Sequence, residues 1–94
     1  MKMYHGTTEE AWNEIQKDGM LWGRKNRIWE GHKLSRINWL ATKKEYARVF
    51  ENNKHISPEE CVLLEVDMPD VKECDYWEYV TYEPILLSRV KRIK

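Results

Sequence analysis

The sequence is poor in several features that mark particular classes of protein. Its 94 residues contain two cysteines, too few for a disulfide scaffold, and neither Cys61 nor Cys74 belongs to a C-x-x-C metal motif. It has no apolar run of about 18 residues, and its N-terminus lacks the apolar region of a signal peptide. We therefore expect no membrane span, no metal site, and a cytoplasmic protein with reduced thiols.

Net charge is absent as well, because 16 Lys and Arg balance 16 Asp and Glu. The charges are nevertheless unevenly placed. Residues 1–54 carry eleven bases and seven acids, residues 55–83 one base and nine acids, and residues 84–94 four bases and no acid. A protein that coats nucleic acid needs a larger basic excess. A local basic patch that faces an acidic part of the sheet remains an open alternative.

A chain of this length forms one domain, residues 1–94, with one modest core. Thr7 with Glu10 and Thr42 with Glu45 have capping-box spacing, and Gly19 suits the left-handed position that ends a helix. The pattern predicts an α+β fold, a mainly antiparallel sheet with two short helices. The predicted elements are strands at 2–5, 20–22, 37–41, 61–67, 77–82 and 85–93, and helices at 7–18 and 42–51.

Residues 23–36 show no hydrophobic period and are interpreted as a long basic loop. They contain five bases, one acid and two glycines. Loops of more than about 12 residues in a small domain are often functional, so this segment is a candidate contact region.

A histidine followed by glycine ends the first predicted strand. His5 supplies an imidazole at the junction with the first helix. Gly6 has no side chain, so a ligand could come close to its main chain. The alternative is an ordinary strand–helix junction with a surface histidine, which these residues taken alone favour.

Aromatic residues of the middle segment form a second candidate. Trp39, with Tyr46 and Phe50 after it, has the spacing for two walls around a flat ring, and a tryptophan face also attracts a cationic ring. Spacing alone favours the alternative, which is ordinary core packing.

Glu78 is the third candidate, because it lies within the alternating strand 77–82. Tyr76, Glu78, Val80 and Tyr82 share one side of that strand, and a carboxylate among apolar neighbours is costly unless it has a partner. Exposure at a sheet edge is the alternative explanation.

In this order and spacing, these segments resemble the poly(ADP-ribose) polymerase-like branch of the ADP-ribosyltransferases, the histidine–tyrosine–glutamate type. Residues 4–7 (Tyr-His-Gly-Thr) are similar to the family's His-Gly-Thr motif, and residues 37–41 to its Tyr-Phe-Ala strand. Residues 77–82 are similar to its Asn-Glu-Tyr-Ile-Val-Tyr strand. The resemblance spans nearly the whole chain. It departs from the family at Trp39, where a tyrosine is usual.

The resemblance implies a split, twisted, mainly antiparallel sheet that binds NAD⁺ as co-substrate. The implied catalytic residues are His5, Trp39 and Glu78: His5 binds the adenosine ribose, Trp39 stacks on the nicotinamide, and Glu78 binds the nicotinamide ribose and stabilises its developing charge. The implied NAD contacts are His5, Gly6, Thr7, Trp39, Tyr46, Phe50 and Arg24, with Lys25 and Arg27 as further candidates for the pyrophosphate. We expect His5 and Glu78 to lie in one cleft, and Trp39 to line it.

The resemblance leaves the acceptor of ADP-ribose open between a protein, a nucleic acid, a small molecule and water. A toxin-like or phage counter-defence effector would suit so small a domain. The arginine–serine–glutamate branch fits less well because Tyr76 stands two positions before Glu78, and the tRNA 2′-phosphotransferase relatives do not rely on a late glutamate. Two alternatives from other classes are a catalytically inactive NAD- or ADP-ribose-binding module and a protein-interaction inhibitor.

Overall fold

The computed structural model describes residues 1–21, 24–27, 34–47 and 60–94. Within these ranges the chain forms strands and helices in an α+β arrangement, as predicted. A short 3-10 helix spans Leu87–Arg89. The strands are β1 (Lys2–Thr8), β2 (Met20–Leu21), β3 (Arg24–Arg27), β4 (Leu34–Ala41), β5 (Cys61–Asp67), β6 (Glu78–Thr81), β7 (Ile85–Leu86) and β8 (Val90–Arg92), and the helices are α1 (Glu9–Asp18) and α2 (Lys44–Ala47).

The main sheet has the strand order β3-β4-β1-β5-β8, and β6 also pairs with β4. Strands β2 and β7 form a separate two-stranded sheet. Every strand pair among the described residues is antiparallel, which confirms the predicted mainly antiparallel sheet. No helix in the described part of the chain is long and apolar enough to cross a membrane.

The register of β1 against β5 assigns side chains to the two faces of the sheet. The two strands pair along their whole length, from Lys2 opposite Asp67 to Thr8 opposite Cys61. Directly opposed residues point to the same face, and successive residues point to opposite faces. His5 therefore shares a face with its partner Leu64, whereas Gly6 shares the other face with Leu63.

The main core lies on the Leu64 face of the sheet, beneath α1. We call this face the closed face. Met3, Leu64 and Val66 are completely buried there, and α1 contributes Trp12 and Ile15. The other buried members of this core are Leu21, Leu40, Val62, Met68 and Ile85.

The opposite face of the sheet, which carries α2, is called the open face. Its buried cluster is small and consists of Ala41, Ala47 and Leu63, with Tyr4 and Ile93 packed against it. Two of the three buried side chains are single methyl groups, so among the described residues this cluster is smaller than the main core.

Helix α1 begins one residue later than the predicted capping box. Thr8, and not Thr7, is the N-cap: its hydroxyl accepts a hydrogen bond of 3.1 Å from the Ala11 N–H. Thr7 belongs to β1, where pairing with Val62 continues through the residues that the pattern assigned to the helix. The predicted helix end is confirmed, since Gly19 has a left-handed φ of 72° and its N–H bonds to the Ile15 carbonyl.

The interpretation of residues 23–36 as a loop is wrong for the part that the structure describes. Arg24–Arg27 pairs with the first half of β4, from Arg24 opposite Ile37 to Arg27 opposite Leu34. The polar composition hid this pairing, because strands stabilised by main-chain hydrogen bonds at a sheet edge need no apolar period. Residues 28–33 lie outside the described ranges.

The predicted last strand is also wrong as a single element. Ile85 and Leu86 pair with β2, Leu87–Arg89 form a 3-10 turn, and Val90–Arg92 pair with β5. The chain changes partner here because β7 and β8 belong to two different sheets. The apolar pattern of residues 85–93 is continuous and therefore does not indicate that change of partner.

The second helix is described over Lys44–Ala47, within the predicted 42–51. Its predicted end lies outside the described residues. The predicted capping role of Thr42 is wrong, because α2 begins at Lys44 and the residue directly before it is Lys43, whose carbonyl accepts from the Ala47 N–H. The Thr42 hydroxyl donates to the Tyr76 carbonyl at 3.1 Å.

Candidate functional site

Strands β4 and β6 place two of the predicted site residues on the open face. Trp39 is opposite Val80, and Ala41 is opposite Glu78. Trp39 and Glu78 are therefore diagonal neighbours on one face, a relation that separates residues by about 7–8 Å. Glu78 is half-buried at the first position of β6.

Strands β1 and β4 pair at one position, Tyr4 opposite Ala41, among the described residues. Continued pairing would place Gly6 opposite Trp39, but the register does not extend to that pair. We call this place, where Gly6 of β1 and Trp39 of β4 are not paired, the strand opening. Both residues belong to the open face, so the opening lies beside Trp39 and Glu78.

The main chain of Gly6 is directed at the strand opening. Its partner on β5, Leu63, exchanges main-chain hydrogen bonds with Ile93 and Lys94 on the far side, at 2.9–3.3 Å. In an antiparallel ladder the N–H and C=O of one residue point to the same side, so Gly6 and Leu63 do not bond each other. The Gly6 N–H and C=O therefore point away from β5, toward β4.

The side chains of His5 and Glu78, which we expect in one cleft, project from opposite faces of the sheet. Alternation along β1 places the His5 side chain on the closed face, beside Leu64, whereas Glu78 projects from the open face. The imidazole nevertheless reaches the edge of β4, where Nδ1 lies 2.8 Å from the Trp39 carbonyl oxygen. A carbonyl only accepts, so Nδ1 carries the proton. A common cleft would have to join the two side chains through the strand opening, and it stays a prediction.

Trp39 is 48% exposed and is not part of either core cluster. Tyr46 on α2 is 39% exposed. These two aromatic residues were candidate walls for a flat ring, with core packing as the alternative. Their exposure departs from the core alternative.

Sequence reasoning missed an aromatic pair that precedes Glu78. The Trp77 ring packs edge-on against Tyr46, with ring centroids 6.3 Å apart, and lies 5.7 Å from the ring of Tyr76. Lys43 Nζ sits 5.9 Å from the centroid of the Tyr46 ring. The signal is the adjacent pair Tyr76-Trp77 at the start of the predicted strand 77–82.

The other predicted NAD contacts are Thr7, Arg24 and Phe50. Thr7 is 5% exposed and opposes Val62 on the closed face, so its side chain projects away from the face of Glu78. Arg24 belongs to β3, opposite Ile37. Phe50 lies outside the described residues.

Neither Cys61 nor Cys74 forms a disulfide bond. Within the described ranges, no group of three or more His, Cys, Asp or Glu side chains is arranged to hold a metal ion. The chemistry available beside the strand opening is therefore a carboxylate, exposed aromatic rings and main-chain hydrogen-bonding groups.

Comparison with known proteins yields no match to a protein-family model, to a curated protein or to a solved structure. What this chain does must be inferred from its own residues and their geometry.

Proposed function

We propose that this chain is an NAD-dependent ADP-ribosyltransferase with the split, twisted sheet of the poly(ADP-ribose) polymerase-like branch. One observation carries the proposal. Gly6, Trp39 and Glu78 share the open face beside the strand opening, and the Gly6 N–H and C=O are directed into it. Three residues that lie far apart in sequence thus share one face of the sheet.

The residues at the opening fit the nicotinamide end of NAD⁺. A carboxamide has one acceptor and one donor side, which the main-chain N–H and C=O of Gly6 complement. Trp39 supplies an exposed aromatic face for the pyridinium ring, and Tyr46 or Phe50 would form the wall opposite. A ring held in this way leaves from one defined geometry.

Glu78 is the catalytic carboxylate in this proposal. NAD⁺ supplies a glycosidic bond whose cleavage leaves neutral nicotinamide and a ribose with developing positive charge. A fixed carboxylate beside that ribose stabilises the charge and holds the 2′-hydroxyl. The acceptor nucleophile then bonds to the ribose carbon and gives up its proton. The acceptor in this proposal is a protein or a nucleic-acid group, and water takes its place when neither is present.

His5 has two roles in the proposal. Its bond to the Trp39 carbonyl fixes the edge of β4 next to the opening. The implied contact with the adenosine ribose would use the same imidazole from the closed-face side. Arg24, with Lys25 and Arg27, would neutralise the pyrophosphate, and Thr7 completes the implied set of NAD contacts.

The test is release of nicotinamide from NAD⁺ by the purified protein, in the wild type and in Glu78→Gln. The variant keeps the size of the side chain and removes its charge. We expect the rate to fall about 10²–10³-fold with little change in NAD⁺ affinity, because the lost interaction belongs to the transition state. Glu83→Gln, an exposed glutamate just after β6, is the matched control and should keep the wild-type rate.

A second candidate function is an inactive NAD- or ADP-ribose-binding module. The tryptophan at position 39, which has no hydroxyl where the family usually has tyrosine, favours it. The same assay separates the two functions. Binding of NAD⁺ without turnover in the wild type would establish the inactive module, and equal turnover in wild type and Glu78→Gln would remove Glu78 from catalysis.

A further inference from the structure

The start of β6 is tied to the end of β4 by one residue, Thr42. The Thr42 N–H donates to the Trp77 carbonyl at 3.0 Å, and its hydroxyl donates to the Tyr76 carbonyl at 3.1 Å. Glu78 is the next residue along the chain, and it opposes Ala41, the residue before Thr42. Thr42 therefore donates two hydrogen bonds, one from its main chain and one from its side chain, to the two carbonyls directly before Glu78.

The hydrogen bond of the Thr42 hydroxyl differs from the predicted cap. A capping hydroxyl accepts a hydrogen bond from a main-chain N–H of its helix. The Thr42 hydroxyl donates to the Tyr76 carbonyl, and the residue directly before α2 is Lys43, whose carbonyl accepts from the Ala47 N–H at 3.4 Å. The hydroxyl proton of Thr42 thus binds the segment before Glu78.

The segment that Thr42 holds belongs to no regular element. Residues 71–77 form no helix or strand, and Glu78 is the first residue of a four-residue strand. Ends of short strands open easily, because few main-chain bonds close them. Two other contacts among the described residues support the segment: the Cys74 thiol donates to the same Tyr76 carbonyl at 3.6 Å, and the Trp77 ring packs against Tyr46. The Thr42 hydroxyl is the stronger donor to that carbonyl, and it connects the segment directly to the end of β4.

We propose that Thr42 is a positioning residue for Glu78: its hydroxyl, bonded to the Tyr76 carbonyl, sets where the carboxylate stands beside the strand opening. The inference rests on the proposed transferase activity. Displacement of a catalytic group by about 1 Å can cost as much as 10²-fold in rate, so a lost hydrogen bond at this place has a measurable effect.

The test compares Thr42→Val with Thr42→Ser. Valine keeps the shape of the side chain and the main-chain N–H but removes the hydroxyl, and serine restores it. We expect Thr42→Val to lower kcat for nicotinamide release about tenfold with KM for NAD⁺ within about twofold, and Thr42→Ser to return kcat to near the wild-type value. Thr81→Val is the control, because its hydroxyl accepts from the Glu83 N–H at the other end of β6.

A second measurement does not depend on activity. The ¹³C resonance of the Glu78 carboxyl group should shift in Thr42→Val and return in Thr42→Ser, whereas Thr81→Val should leave it in place. An unshifted resonance in folded Thr42→Val overturns the positioning role, even if the protein has no transferase activity.

The kinetic outcomes separate the two proposals. No nicotinamide release by the wild type counts against the proposed function alone. A wild-type rate in Thr42→Val overturns the positioning role while the transferase stands. A rise in KM at constant kcat also overturns it, because that pattern marks a binding contact, and so does a Thr42→Ser enzyme as slow as Thr42→Val.

Discussion

The two faces of the central sheet are built differently. The closed face buries large side chains under α1, with Met3 and Leu64 completely inaccessible. The buried cluster of the open face, among the described residues, consists of two alanines and Leu63, while Trp39 next to it is 48% exposed. A chain of 94 residues has enough apolar side chains for one modest core. Within the described ranges the closed face contains the larger buried cluster, and the open face presents an exposed tryptophan.

The first prediction compares two tryptophans from the two faces. Trp12 on α1 is 8% exposed and Trp39 on the open face is 48% exposed. Trp12→Ala should lower the free energy of unfolding by about 3–5 kcal/mol. Trp39→Ala should cost roughly half of that or less, because about half of its surface already contacts water. Urea unfolding of both variants measures the difference.

The Trp39→Ala protein should also bind NAD⁺ about tenfold more weakly, because a stacking wall is lost. Isothermal titration calorimetry on the folded variant measures this change. An unfolding penalty as large as that of Trp12→Ala, with no separate binding defect, would make Trp39 a core residue.

The second prediction uses two neighbours of the same residue type. Leu64 points to the closed face and Leu63 to the open face, and both are buried. Leucine-to-alanine substitutions in cores cost about 2–5 kcal/mol, depending on how many groups lose contact. We expect Leu64→Ala near the upper end and Leu63→Ala near the lower end, as measured by thermal or urea unfolding. Equal costs would contradict the difference between the faces.

The third and smallest effect concerns an ion pair on the open face. Lys2 Nζ lies 3.1 Å from a Glu65 carboxylate oxygen, and the hydrogen bond and charge of Glu65 raise the pKa of Lys2 above its ordinary 10.5. A raised pKa means that the stabilisation is fully present below pH 10.5 and is lost as the pH rises through the folded-state value. Lys2 is solvent-exposed, so the effect is small and screened by salt.

Comparison of wild type with Lys2→Met isolates this group, since all other titrations occur in both proteins. The difference between their urea midpoints should be constant at about pH 8–10 and shrink above that range. A difference that persists unchanged at higher pH would show that the stem of Lys2, and not its charge, provides the stabilisation.

The sequence pattern was most reliable where burial and local stereochemistry agree. Strand β5 was predicted with its observed bounds, because Cys61–Asp67 is a β-branched apolar run. Gly19 was predicted at the helix end because only a left-handed residue closes that turn, and its φ is 72°. In both cases the neighbours in sequence are also the neighbours that decide the structure.

Prediction failed where a distant partner decided the outcome. Thr42 was predicted to cap its own helix, but α2 begins at Lys44 and the Thr42 hydroxyl donates to a carbonyl 34 positions away. The polar residues 24–27 form a strand because β4 offers an edge to pair with. The candidate site shows the same limit, since residue types indicated His5 and Glu78 but only the register assigned them to faces.

The sequence by itself determined the α+β class and the residue types from which a site can be built. These features follow from local periodicity and turn chemistry, and both of those depend only on residues that are neighbours in the sequence. The tertiary structure alone decided that β1 and β4 part after Tyr4, so that the Gly6 main chain faces an opening beside Trp39 and Glu78. The physical reason is that strand register depends on pairing between remote segments, and one step of register exchanges the two faces of a sheet.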